Sequence, residues 1–300
     1  MSAATLDIVM PFYGRPDHFR IAVESVLAQR DDDWRLIVID DDYPDHEPGE
    51  WVQSLGDPRI EYRRNARNAG INANFQASLE AATADWVIIF GCDDRMLPGY
   101  LTAVRALIGQ HPDAALVHPG VRIIDDTGAV YTPLVDRSKR FYRGRLRGTR
   151  VLTGEEFATS VTRGNWMYFP AIAWRRATAA RFGFRPGLDV AQDLALALDV
   201  ALDGGSLVVD ETVEFEYRRH AGSVSSWRAV DGSRFVEEGA FFADAAERFG
   251  ARGWRRAARA ARWHVSSRIN ALSRIPDALR AKEPGGWFLL RYALGRGPRA

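Results

Sequence analysis

Residues Trp86 to Pro98 read WVIIFGCDDRMLP. An apolar run ends in Gly91-Cys92, and two adjacent aspartates, Asp93 and Asp94, follow at once. The run reads as a core strand. A carboxylate buried beside such a strand is costly unless a partner neutralises it. Two together require a positive charge to face.

Working outward, the same alternation recurs. LDIVMPF is a strand, and DHFRIAVESVLAQR is a helix with Phe19, Val23, Val26 and Leu27 on one face. WRLIVID is a second strand, followed by a polar loop containing Pro44, Pro48 and Gly49 and a short helix near Trp51 to Leu55. RIEYRR gives a third strand, INANFQASLEAAT a helix, DWVIIF the fourth strand, GYLTAVRALIGQ a helix and AALVHPGVRII further strand. Strands separated by helices of this length predict an α/β fold with a Rossmann-like, doubly wound, mostly parallel sheet. Ligands of such sheets gather at the carboxyl ends of the strands. The first, second and fourth strands end in PFYGR, DDDYPD and GCDDR, so three polar loops are expected to share one rim.

Further along, Asp136 to Arg150 is basic and contains Gly144 and Gly148, which reads as a mobile loop. TGEEFATSV and DVAQDLALALDVALDGG are helical, the second stopped by Gly204-Gly205. SLVVDETVEFEYRRHAGSVSSW alternates like strand and then turns. Two helices are expected over Arg234 to Phe249 and Trp254 to Arg274, and then a short apolar end.

Three hundred residues with 46% hydrophobic content suffice for a sizeable core. The net charge of +1 hides an asymmetry: Ala245 to Ala300 carries 13 Lys/Arg against three acids. The acidic remainder argues against a general nucleic-acid binder. The basic tail fits an anionic surface, with its arginines (Arg252, Arg255, Arg256, Arg259, Arg262) on one helix face; a helix packed on the main domain is the plainer reading. A single cysteine excludes an internal disulfide, no Cys/His zinc spacing occurs, and no run of about 18 apolar residues suggests a spanning helix. No signal-peptide layout opens the chain, so a cytoplasmic location is expected, peripheral at the inner membrane face if the tail binds lipid.

Each polar cluster has a plain reading beside a functional one. Asp93-Asp94 suits a hard divalent cation such as Mg2+ or Mn2+, or else caps the next helix. Asp40-Asp41-Asp42 can take hydrogen bonds from a base or ribose, or simply solvates a loop. Asp193 opens an apolar helix, either as a general base or as an acid favoured by the helix dipole. His220, with Arg218, Arg219, Ser223 and Ser225, suits a phosphate or metal-phosphate, or is structural. Trp166, next to Gly164-Asn165 and near Tyr168 and Trp174, is a platform for a sugar ring if exposed and core if not.

Taken in order, these segments resemble the family 2 glycosyltransferases, which have the nucleotide-diphospho-sugar transferase (GT-A) fold. The likeness runs from about Leu6 to Ser226 through DIVMPFYGRPDHFRIAVESVLAQ, LIVIDDDYPD, RNAGINANFQASLEAATADWVIIFGCDD, QDLALAL and EFEYRRHAGSVSS. The resemblance implies that Pro11, Tyr13 and Arg15 border the nucleotide. It implies that Asp41 contacts the base, Asp93 the ribose or metal region and Asp94 the metal, with His220 completing the metal or diphosphate site. Asp193 would be the general base and Trp166 an acceptor contact.

The implied activity is metal-dependent, inverting transfer of a sugar from a nucleotide-diphospho-sugar to an acceptor hydroxyl. The acceptor would be a glycan, a lipid-linked glycan or a small molecule, as in assembly of bacterial-type surface glycans. The implied organisation is a GT-A domain over 1–228 (nucleotide half about 1–120, acceptor half about 121–228) with a basic helical extension over 229–300. Two departures stand out: Gly91 occupies the first acidic position of the usual Asp-x-Asp metal motif, and Gln192 stands where Glu is common. Two other readings are a non-catalytic sugar-nucleotide binder and a phosphatase using Asp40 and Asp42. The latter lacks a well-placed lysine, since Lys139 and Lys282 are the only two in the chain.

Overall fold

The computed structural model describes residues 5–219, 233–280 and 285–295. Strand β1 (Leu6–Phe12) is buried along its whole length between parallel neighbours β2 (Arg35–Asp40) and β4 (Trp86–Ile89). That burial on both faces explains why its sequence is a nearly continuous apolar run. β3 (Ile60–Arg64) adds in parallel to β2, giving the order β3-β2-β1-β4 on this side of the sheet. The crossovers are α1 (Pro16–Leu27), α2 (Glu47–Ser54) and α3 (Ile71–Ala81). Pro48 and Gly49 fall inside the first turn of α2 rather than in a loop, a position where proline's missing N–H costs nothing.

Beyond β4 come β5 (Arg95–Met96), α4 (Tyr100–Gln110), β6 (Leu116–Ile124), α5 (Leu134–Arg143) and β7 (Arg150–Thr153). Then follow α6 (Gly154–Arg163), β8 (Ala173–Arg175), α7 (Arg176–Phe182), α8 (Gln192–Leu202) and β9 (Ser206–Arg218). The sheet continues β4-β8-β6-β9-β5, with β7 also on β9. β8 is antiparallel to both β4 and β6, and β6 is parallel to β9. β1, β2, β3, β4, β6 and β9 therefore all point one way, and the expected doubly wound, mostly parallel layout holds.

Each sheet face has its own core. Ile8, Met10 and Phe12 pack with Phe19 and Val23 of α1 and Leu101 of α4 on one side. Val9, Val87 and Leu116 pack with Phe157 of α6 and Leu194 of α8 on the other. The second core also takes in the C-terminal helices α9 (Ser233–Ala251) and α10 (Arg255–Trp263), through Phe241, Phe242, Phe249, Ala257, Ala258 and Ala261. Glu155 at the start of α6 accepts from the Arg256 and Ala257 N–H groups, and buried Asp199 of α8 pairs with Arg185 and Arg248. The chain between, where the expected boundary at 228 falls, lies outside the described residues.

Two sequence expectations change. The basic stretch from Asp136 contains helix α5, because Asp136 is buried beneath it against Arg219 and Tyr168, a contact that links distant parts of the chain. The single helix expected from Trp254 to Arg274 is two, α10 and α11 (Val265–Arg280). His264 breaks it with φ +27° and stacks on Phe242 at 5.1 Å between ring centroids. The apolar end forms α12 (Gly285–Ala293).

Candidate active site

The carboxyl ends of β1, β2 and β4 meet, as expected, at the point where the strand order reverses. The three acids after β2 are held by protein groups. Asp40 takes hydrogen bonds from the Tyr62 hydroxyl (2.6 Å), Arg64 Nη1 (3.0 Å) and the Tyr43 N–H (2.7 Å). Asp41 takes them from Asn65 Nδ2 (2.8 Å) and from the Ala69 and Gly70 N–H groups (both 2.9 Å). Asp42 sits in the left-handed region at φ +58°, which Asp tolerates, and pairs with Arg64 at 2.8 Å. Asp41 thus shapes the loop before α3, and a base reaching it must share those donors. Asp40, with no exposed surface, is no free nucleophile, which removes the phosphatase reading.

Pro11 is buried in β1 opposite Ile39. Tyr13 is 53% exposed and edge-on to Tyr43. Arg15 is also exposed, but its guanidinium spans Asp17 and Asp126, joining the start of α1 to the turn after β6. These ion pairs raise its pKa further above the ordinary arginine value. Tyr13 and Arg15 therefore stand at the rim as expected, and Pro11 supports them from below.

The 91–94 segment is arranged differently. It forms a turn closed by the Asp94 N–H on the Gly91 carbonyl, and the next helix starts only at Tyr100, so Asp94 is not a helix cap. β5 pairs antiparallel with β9, which brings the Arg218 N–H to Asp94 Oδ1 at 2.8 Å. Asp94 Oδ2 is buried without a hydrogen-bond partner. Burial, then the charge of Asp93, push the Asp94 carboxyl well above the usual carboxylate range. A Cβ on Gly91 would lie 2.6 Å from Asp94 Oδ2 and 3.1 Å from Asp93 Oδ1, so the two carboxylates converge over the space glycine leaves. An unpaired oxygen next to a second carboxylate fits a hard cation. Among the described residues no group of three or more His, Cys, Asp and Glu could hold a metal, so those residues leave most of a coordination shell to be filled by other groups.

Arg218 and Arg219, expected to meet phosphate, are directed inward. Arg218 donates to the Asp93 carbonyl (2.7 Å) and to the carbonyls of Asp125 and Asp126, which locks the acidic turn onto β9. Arg219 pairs with Asp136 at 2.5 Å. His220 lies outside the described residues.

Asp193 opens α8, with its Oδ1 on the Leu194 N–H (2.7 Å) and its Oδ2 accepting from Asn165 Nδ2 (3.2 Å). Burial raises its pKa, and the Asn165 hydrogen bond and the Lys139 charge act against that rise. The Asn165 Oδ1 beside it is buried and unpaired. Two residues absent from the sequence argument, together with Gln192, fix the helix start. Glu237 of α9 accepts from the Asp189, Val190 and Ala191 N–H groups at 3.1, 2.8 and 2.8 Å. Asn72 of α3 donates to the Arg185 and Leu188 carbonyls and to Gln192 Oε1. Gln192 in turn donates to the Asp189 carbonyl, a bond that a glutamate there could not make.

The remaining wall comes from α5. Lys139 donates to the Met167 carbonyl (3.0 Å) and lies 4.1 Å from the Tyr168 ring centroid. Burial and the nearby Arg219 lower its pKa to about 8. As one of only two lysines it was visible as a compositional outlier, although nothing local tied it to Asp193. His118, buried and held near a pKa of about 4, accepts from the Tyr168 N–H and is therefore neutral. Trp166 departs from expectation: it is 2% exposed, bonded to Ser160 Oγ and part of the core, so it offers no sugar-stacking face.

Comparison with known proteins bears on this geometry. The chain matches the profile of Glycosyl transferase family 2 over residues 7–173. It is 29% identical over 229 residues to the succinoglycan biosynthesis protein ExoO of Rhizobium meliloti, covering 74% of this chain and 63% of that protein. It is 28% identical over 160 residues to the putative colanic acid biosynthesis glycosyl transferase WcaA of Escherichia coli, covering 49% and 56%. The matches thus span about three fifths of those relatives' lengths. The structure of S. aureus TarS 1–349 in complex with UDP-GlcNAc superposes with a TM-score of 0.64 at 12% identity, covering 97% of this chain and 90% of that one. The GT-A fold is shared.

Proposed function

The chain belongs to the family 2 glycosyltransferases, and from that premise we propose that it catalyses metal-dependent, inverting transfer of a sugar from a nucleotide-diphospho-sugar to an acceptor hydroxyl. The observation that carries the reading is the unpaired, buried Asp94 Oδ2, linked through the charges of Arg219 and Lys139 to a half-buried acid, Asp193, whose pKa is raised. A site this acidic is poised for a cation and a proton transfer. Asp94, with Asp93, is the pair to hold Mg2+ or Mn2+, and such an ion when bound offsets the charge that the leaving diphosphate gains. If His220 completes that site, it does so from the segment after β9.

The protein's own groups divide the remaining work. Tyr13 and Arg15 border the nucleotide, and Asp41 orders the 65–70 loop beside it. Asp193 takes the acceptor proton as attack proceeds, and its raised pKa brings it closer to the range where a general base works well. The orphaned Asn165 Oδ1 is placed to accept from the same hydroxyl. With base and leaving group on opposite sides of the sugar, one displacement inverts the anomeric centre.

The names of the relatives favour surface polysaccharide assembly, and the neighbour that binds UDP-GlcNAc favours a UDP-sugar donor. The basic face of α10 suits peripheral contact with an anionic inner membrane face, near a lipid-linked acceptor. Residues up to about 228 would carry the chemistry, with 229–300 steadying α8. The test is product analysis by NMR with a panel of nucleotide sugars. Transfer with inverted configuration, lost in Asp193→Asn while donor still binds, supports the reading. Retained configuration, or near-normal transfer by Asp193→Asn, contradicts it. Donor binding without transfer to any acceptor would favour a non-catalytic binder.

A further inference from the structure

Helix α5 has two unlike faces. Beneath it, Asp136 is closed off by Arg219 and Tyr168, and Lys139 reaches the Met167 carbonyl within electrostatic range of Asp193. Outward, Leu134 is 78% and Phe141 81% exposed, with Val135 exposed between them and Val130 and Tyr131 just before. Arg137 and Arg140 are exposed on the same helix. Leu134 to Arg150 carries seven Lys/Arg and one acid, and that acid is the buried Asp136. Phe141, Arg140, Arg143 and Arg145 also line an open cleft of about 520 Å³.

We infer that the outward face of α5 docks on an anionic phospholipid surface, setting the Asp193 rim against the membrane. The inference deepens the proposed function, since it supposes an acceptor delivered at a lipid surface. A second copy of the chain is disfavoured here, because the patch would meet its own positive charge. Large apolar side chains projecting among arginines, with no surface acid on the helix itself, have the composition of an interfacial helix. The α10 arginines add long-range attraction beside one exposed aromatic on that helix, Trp263, whereas α5 and the residues just before it expose Val130, Tyr131, Leu134, Val135 and Phe141.

The experiment is sedimentation of the full chain with vesicles of phosphatidylcholine alone or with phosphatidylglycerol. It compares wild type, Leu134→Ser/Phe141→Ser and Arg255→Gln/Arg259→Gln. All four positions are exposed, and melting curves check that the variants fold. The expected result is binding only to phosphatidylglycerol vesicles, reduced about tenfold by the α5 pair and less by the α10 pair. Equal binding by the α5 pair and wild type, a larger loss in the α10 pair, or no preference for the anionic lipid would each overturn the inference. The readout does not depend on sugar transfer, so its failure is separable from failure of the proposed activity.

Discussion

Two acidic clusters sit at the ends of strands β2 and β4, which flank β1, and the protein treats them in opposite ways. After β2, Asp40 and Asp41 each collect three hydrogen bonds from their own chain. After β4, Asp94 receives one, from the Arg218 N–H, and keeps its second oxygen buried and unpaired. A saturated acid builds structure. An acid left short of partners is costly to the fold, and such groups concentrate at sites that bind. Similar sequence signals, DDD and DD, thus separate into a scaffold and a candidate site only through their donors.

The largest predicted effect tests a third acid, outside both clusters. Asp193→Asn should cut transfer about a thousandfold, read as kcat with donor affinity unchanged. Asp94→Asn should lower transfer about a hundredfold yet make the ligand-free protein melt about 2–4 °C higher, since it removes an unpaired buried carboxylate. The sign follows from linkage. With the folded-state pKa raised, the folded chain holds a proton that the unfolded chain has lost, so stability falls as pH rises from about 4 through the raised value. Asp94→Asn should flatten that decline, and an unchanged slope would deny that Asp94 is unpaired. Gly91→Ala puts a methyl 2.6 Å from Asp94 Oδ2, so donor affinity in the presence of Mn2+ should fall about tenfold even though no ligand is removed.

Smaller effects sharpen the contrast. Glu237→Gln should lower kcat about tenfold with donor KM unchanged, because it weakens the acceptor for three N–H groups ahead of Asp193. Glu237→Asp should restore part of the loss. Lys139→Met or Asn165→Ala removes a group that holds the Asp193 pKa down, so the acid limb of the pH–rate profile should move to higher pH. A limb that stays in place would uncouple these residues from the base. Asp41→Ala, the scaffold counterpart, should cost about 3 kcal/mol in denaturant titration.

The first 110 residues were legible because the main strands and helices from Leu6 to Gln110 carry their own period and are joined by short connections. Polar strand ends then fall on one rim by topology alone. Much of the rest depends on contacts between distant residues. Nothing near Asp136 announces that Arg219 will bury it, so α5 looks like a basic loop until the fold closes. Glu237 lies far along the chain from Asp193, on a helix that appeared to be an appendage. Trp166 illustrates the converse, an aromatic beside Gly and Asn whose burial only packing decides. The Gly91 departure is explained by space: with glycine there, Asp93 and Asp94 converge where a side chain would stand. Gln192 is explained by its bond to the Asp189 carbonyl.

The most direct test is a thermal-shift matrix of the wild-type chain with Mn2+ alone, nucleoside diphosphates alone, and both together. Two protein carboxylates, even with His220 added, cannot fill a metal shell, so Mn2+ alone should move the melting temperature little, one diphosphate alone modestly, and that diphosphate with Mn2+ by much more than the sum, an excess absent in Asp94→Asn. A full shift from Mn2+ alone, or the same excess in Asp94→Asn, would contradict the assignment of the open acid to a shared metal–diphosphate site.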